Sequence, residues 1–227
     1  MTAGSPHDLP WSVLASLSRE QAAEMLQSAV PERWEKGRDL VVEGDRADLF
    51  YLVDEGHLGV TVRDGEGGSA LLAVLTRGDS FGELALVDDS ATRTATVTAM
   101  SGARTLAISR ADFLALRKRR PDFDRALTAM LVAQIRRLSR QVLDAHLLDA
   151  EAKVRRQLAD LARAFASGGR ESVVVPLTQD QVAQLCGIGR QRANEVLKEL
   201  ERAGLLRLGR GSIEIIDAAS PIATGSS

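Results

Sequence analysis

Cysteine is all but missing from this 227-residue chain: Cys186 stands alone. A single thiol cannot close an internal disulfide, and cannot by itself hold a zinc ion or an iron–sulfur cluster, so those frameworks are excluded. Histidine is scarce as well. His7, His57 and His146 are scattered, and no nucleophile–base spacing or metal-ligand cluster emerges, so the chain does not read as an enzyme and no catalytic residue or metal site is expected. No run approaches eighteen apolar residues, and the first residues lack a basic-then-apolar signal; no membrane partner is expected, and the expected location is the cytoplasm. A surplus of charge is also lacking. The 29 Lys and Arg face 31 Asp and Glu, a formal net of -2, so the whole chain is no generic polyanion binder, and any nucleic-acid contact has to come from a local patch. What is present, 44% hydrophobic and 26% charged residues, describes an ordinary soluble protein, long enough for two small domains that each bury a core.

Along the chain the pattern changes twice. Met1–Pro10, with Gly, Ser and Pro, reads as loose. Ser18-Arg-Glu-Gln21 followed by Ala22, Ala23, Met25 and Leu26 has a capping box and helical spacing. From Glu32 to Ile108 short alternating strands take over: Leu40–Val42, Leu49–Val53, Leu58–Val62 and Leu71–Leu75, parted by turns at Glu43-Gly-Asp45, Glu55-Gly56, Asp64–Gly68 and Arg77-Gly-Asp79. Strands of this length at this spacing argue an antiparallel roll or barrel. A long helix follows Pro121, with Leu131, Ile135, Leu138, Val142 and Ala145 spaced four, three, four and three apart, a coiled-coil seam of nearly two heptads. Arg136, Arg137 and Arg140 lie off that stripe. A second helix, about 150–166, carries Val154, Leu158, Leu161 and Phe165 and stops at Ser167-Gly-Gly169. Then come Val173–Val175, a helix from Thr178 to Cys186, a turn, a helix from Arg190 to Ala203 and a hairpin, the order of a winged helix-turn-helix.

Residues 81–97 carry the most chemistry. Gly82-Glu83 opens a short apolar helical turn, an acidic loop follows, and Arg93 leads into an alternating strand. Backbone N–H groups at a helix start attract an anion. Gly82 allows close approach, Arg93 offers a planar fork to phosphate oxygens, and Glu83 can accept a sugar hydroxyl. The arrangement suits a phosphate beside a ribose.

At the other end Thr178-Gln-Asp-Gln181 is a second capping box. Val182, Leu185, Ala193, Val196, Leu197 and Leu200 form the expected buried face, and Gly187-Ile-Gly189 the tight turn. Around the following helix Arg190, Gln191, Asn194, Glu195 and Lys198 point outward, with Arg192 at the edge. Arg190 suits guanine, Gln191 adenine, and Glu195 a cytosine amine. Residues 186–212 hold six basic side chains against three acidic ones, so the patch missing from the global charge is found here. The wing, Leu205–Ile216, presents Arg210 at its tip to a phosphate.

From about Leu14 to Asp217 the chain resembles the cAMP receptor protein/FNR (Crp/Fnr) family of bacterial transcription factors, in its cyclic-nucleotide-binding branch. The eleven positions from Gly82 to Arg93 match the family's phosphate-binding cassette. The resemblance implies an α+β fold: an antiparallel β-roll sensor domain over 1–120, a dimerisation helix over 121–149 and a winged helix-turn-helix DNA-binding domain over 150–227. It implies cyclic-nucleotide contacts from Gly82, Glu83, Leu84, Ala85, Arg93, Thr94, Leu138 and Ser139. DNA contacts are implied from Thr178, Arg190, Gln191, Arg192, Asn194, Glu195, Lys198 and Arg210, and a homodimer along Leu131, Ile135, Leu138, Val142 and Ala145. The partners implied are a near-palindromic double-stranded DNA and RNA polymerase. No resident cofactor is implied; the effector is cAMP, or cGMP. Thr94 stands where cAMP receptors often have Ser and cGMP-preferring domains often have Thr, and Leu138-Ser139 replaces a Thr-Ser pair. Gly189 replaces the usual Ser before the recognition helix. The FNR branch's multi-cysteine oxygen sensor is excluded by the lone Cys186. The rival reading is a ligand-independent, architectural DNA binder with a vestigial pocket; a kinase regulatory subunit would need an inhibitory segment where this chain has a winged helix.

Overall fold

Local signals set the first elements. In the computed structural model, which describes residues 11–14, 17–63, 68–88, 90–120, 123–166 and 172–216, a 3₁₀ turn (Ser12–Leu14) precedes helix α1 (Arg19–Gln27). The readings made for 1–10, for the turn at 64–67 and for Ser167-Gly-Gly169 lie outside the described residues. The capping box of α1 is formed in full: Gln21 N donates to Ser18 Oγ at 3.3 Å, and Ser18 N donates to Gln21 Oε1 at 2.7 Å.

Strands β1 (Val30–Trp34), β2 (Asp39–Val41), β3 (Leu49–Glu55), β4 (Leu58–Arg63), β5 (Ser69–Leu75) and β6 (Ser80–Phe81) follow, then the one-turn helix α2 (Leu84–Val87), β7 (Thr96–Ala99), β8 (Ala103–Ser109) and helix α3 (Arg110–Arg119). They make two four-stranded sheets, ordered β1-β8-β3-β6 and β2-β7-β4-β5, and every recorded pairing is antiparallel. The roll is therefore present, with one correction. β3 does not alternate: Phe50, Tyr51, Leu52 and Val53 are all buried. Phe50 and Leu52 join Trp11, Leu14, Met25, Ile108, Phe113, Leu116 and Phe123 under the helices, while Val53 joins Leu40, Leu58, Leu75 and Val97 on the other side. A strand covered on both faces becomes a continuous apolar run.

Helix α4 (Phe123–Leu147) is 25 residues long. The chain forms two compact units, whose boundary along the sequence falls within α4, between Arg137 and Leu138. Of the expected seam, Ile135 (61% exposed), Leu138 and Val142 stand open, joined by Val132, Leu143 and Leu147; Leu131 is half-buried, and the side chain of Ala145 lies outside the described ones. No helix among the described residues is long and apolar enough to cross a membrane.

The second unit holds α5 (Ala150–Phe165), β9 (Ser172–Val175), α6 (Gln179–Cys186), α7 (Arg190–Arg202), β10 (Leu206–Gly209) and β11 (Ser212–Ile216), with the sheet ordered β10-β11-β9. Asp149 caps α5 by accepting from Ala152 N at 2.8 Å. Val154, Leu158, Val182, Ala183, Val196, Leu197 and Ile215 form the core. Leu185, expected in it, is only half-buried, and Ala183 takes the inner place. Burial pushes the Cys186 thiol up to about 12, so it is neutral at ordinary pH.

Candidate functional site

Three backbone bonds tie the segment before β7 to the loop after β2 and so place Arg93. Arg93 N donates to Asp45 O at 2.7 Å, Gly44 N to Arg93 O at 2.9 Å, and Ala47 N to Ala91 O at 2.9 Å. Small side chains let the pieces approach: Ala47, Ala85 and Ala91 form one buried cluster. Arg93 itself is 7% exposed. Its Nη1 donates to Leu49 O at 3.0 Å, and its guanidinium lies 5.7 Å from the centre of the Tyr51 ring. Tyr51 in turn stacks on Phe81 at 4.8 Å. Among the described residues no carboxylate is within ion-pair distance of Arg93. Burial pulls its basicity below the usual value, against the more distant charges of Asp48, Asp45 and Glu83. A buried, unpaired guanidinium with spare N–H donors is a receptor for an anion.

Gly82 fits that role for a geometric reason. Its φ is +82°, and a Cβ there would sit 2.6 Å from Arg93 Nη1 and 2.8 Å from Leu49 O, so no side chain fits between the turn and the arginine. Glu83 caps α2 without a side-chain bond, and Arg110 Nη1 braces the turn by donating to Ala85 O at 3.1 Å. The expectation of free N–H groups at this helix start is corrected in part. Ala85 N donates to Gly82 O at 3.1 Å and Leu86 N to Glu83 O at 3.0 Å, because a helix of a single turn closes with short-range bonds. Leu84 and Thr94 are exposed and Ala85 is buried. Leu138 and Ser139 lie exposed on α4. Spacing gave no hint of Tyr51, forty-two residues from Arg93: contacts between distant segments leave no local pattern.

In the second unit, α6 begins with the expected capping box: Gln181 N donates to Thr178 Oγ1 at 3.2 Å and Thr178 N to Gln181 Oε1 at 2.9 Å. Gly187 ends the helix in the left-handed region with φ +61°. Gly189 caps α7 with no side-chain bond, and a Cβ there would meet nothing within 4 Å. On α7, Arg190, Gln191, Arg192, Glu195 and Lys198 are exposed, as expected. Asn194 departs from that: it is half-buried, and its Oδ1 is shut from solvent with no hydrogen-bond partner. The outward side chains are already interlinked. Arg192 Nη1 donates to Glu195 Oε2 at 3.0 Å, Gln191 Nε2 to Glu195 Oε1 at 3.4 Å, and Arg190 Nε meets Asp180 Oδ1 at 2.6 Å. Asp180 is the residue that sequence reading passed over as part of a cap. Arg210 is exposed in the turn between β10 and β11, and Arg207 Nη1 donates to Glu214 Oε2 at 3.3 Å.

The cyclic nucleotide-binding domain model matches residues 31–120, and the Crp-like helix-turn-helix domain model matches residues 152–220, together more than half of the chain. A CRP-like cAMP-activated global transcriptional regulator of Mycobacterium tuberculosis is 28% identical over 198 residues, 86% of this chain and 88% of the relative. The solved catabolite activator protein of Thermus thermophilus is 29% identical with a TM-score of 0.51, covering 94% of this chain and 98% of that one. The c-di-GMP-responsive global regulator CLP of Xanthomonas campestris superposes with a TM-score of 0.70 at 24% identity, over 87% of this chain and 98% of that one, a likeness of fold. The relatives are transcription regulators rather than enzymes. With a buried, unpaired arginine in an antiparallel roll and an arginine-bearing helix in a winged helix-turn-helix, the chain belongs to the Crp/Fnr family of DNA-binding transcription regulators.

Proposed function

We propose that the protein is a homodimeric transcription regulator whose affinity for DNA is set by cyclic AMP. The observation that carries this reading is Arg93: a guanidinium 7% exposed, with no acidic partner among the described residues and Gly82 kept open beside it. The phosphate of a cyclic nucleotide would supply the missing charge, Glu83 would accept from the ribose, and Gly82, Leu84, Ala85 and Thr94 would line the turn. Leu138 and Ser139 would be the contacts from α4. The names of cAMP-activated relatives favour cAMP over cGMP.

In this reading residues 1–120 sense the ligand, 121–149 pair two copies through Leu131, Ile135, Leu138, Val142 and Ala145, and 150–227 read DNA. The bases would meet Arg190, Gln191, Glu195 and Lys198, and phosphates Thr178, Arg192 and Arg210. Ligand binding shifts an equilibrium between forms of differing DNA affinity. The protein works in the cytoplasm with RNA polymerase as its partner.

Titration of cAMP and of cGMP into the pure protein, followed by selection from a random DNA pool with and without nucleotide, tests this. The expected result is saturable cAMP binding, weaker cGMP binding and enrichment of near-palindromes with cAMP present. Equal enrichment in both arms would establish the ligand-independent rival instead.

A further inference from the structure

On the reading of α7 as the recognition helix, we propose that Asp180 is a positioning residue for base readout: it holds Arg190 so that both terminal nitrogens of its guanidinium face a guanine. Asp180 Oδ1 lies 2.6 Å from Arg190 Nε. The bond is taken at Nε, and Nη1 and Nη2 make no further bond among the described residues. Those two nitrogens are a pair that can donate to O6 and N7 of one guanine. The side chains are 74% exposed for Arg190 and 42% for Asp180. Without the acid, an arginine this exposed would sample many rotamers and lose that freedom on binding. With it, the fork is ordered beforehand.

The place of the acid makes a purely structural role a poor account. Between Thr178 and Arg192 Asp180 is the only acidic residue. It stands in the first turn of α6, where a carboxylate suits the helix N-terminus. In a protein that binds DNA through this motif, however, a negative charge here repels the backbone phosphates and weakens binding to every sequence. Asp180 thus lowers general affinity and raises discrimination at the base pair that Arg190 reads.

The full-length protein with nucleotide would be compared as wild type, D180N, R190A and the double variant. The probes are the selected operator and the same duplex with single guanine–cytosine pairs changed to adenine–thymine. The pair read by Arg190 is the one whose change ceases to matter in R190A. At that pair D180N should cut the preference for guanine roughly three- to tenfold, and should do so only while Arg190 is present. Binding to the changed duplex should stay equal or become tighter, and D180E should recover part of the preference. A preference unaltered by D180N, or altered equally in the R190A background, overturns the proposal. A wild type that enriches no sequence at all would instead overturn the recognition-helix reading, and the inference with it, before any variant is compared.

Discussion

Removing a guanidinium from water without giving it a carboxylate is unfavourable, and Arg93 is in that position. Exchange for an apolar side chain of similar size separates its two effects. Arg93→Met should abolish most nucleotide affinity, since each charge-assisted bond contributes about 1.5–3 kcal/mol, yet leave the ligand-free protein at least as resistant to heat. Calorimetric titration and thermal unfolding read the two effects apart; an Arg93→Met protein that still binds cAMP normally would remove the proposed site. Gly82→Ala should instead harm both, lowering nucleotide affinity in the same titration and the unfolding temperature in the same melt. Its φ of +82° disfavours any Cβ by about 1–2 kcal/mol, and the contact with Leu49 O at 2.8 Å leaves nowhere for a methyl to go. Tyr51 offers a test of the pocket's dryness. It is the chain's single tyrosine, and burial, helped by the charge of Glu32, pushes its phenol up from 10.0 to about 12. The protonated form is thus favoured in the folded state, and the stability tied to it is intact below about pH 10 and fades as pH climbs through 12. Phenolate absorbance should rise near pH 12 in the folded protein and near pH 10 in denaturant; a folded midpoint near pH 10 would mean that water reaches the ring.

Elements whose signals are local were legible in the sequence. The boxes at Ser18 and Thr178 rest on residues three apart, and both form with the expected partners. The heptad spacing of α4 is likewise a property of one segment. Contacts between segments were not legible: Tyr51 under Arg93, and Asp180 against Arg190, pair residues that only the turns bring together. β3 is a different case: Leu49-Phe-Tyr-Leu-Val53 is a continuous apolar run, a signal of cover on both faces that the reading as an alternating strand overlooked. On α4, Ile135 at 61% and Val142 at 59% exposure form an apolar stripe that a lone chain would leave in water. Ile135→Glu would set two like charges opposite each other in a parallel seam. Light scattering should find the wild type dimeric at micromolar concentration without ligand and the variant monomeric. A monomeric wild type would defeat the dimer proposal.

For the whole molecule, near-neutral net charge hides an uneven distribution. A surplus of basic side chains in residues 186–212 offers a local patch to a groove without making the entire chain a polyanion binder. Two copies carrying one α7 each should select half-sites about one helical turn, roughly 34 Å, apart. Arg210→Ala should weaken all sequences alike and flatten the dependence on salt by about one unit of slope; loss confined to one sequence would place Arg210 on a base instead. The lonely charge of Arg93 reaches beyond recognition. A ligand that completes it binds the folded state alone, so at a hundredfold excess over its Kd it adds about 2.7 kcal/mol to the folded form. Proteolysis follows the population of the opened state, so cells poor in the nucleotide would clear idle copies faster. Through one guanidinium the signal would govern how long the regulator survives as well as whether it acts.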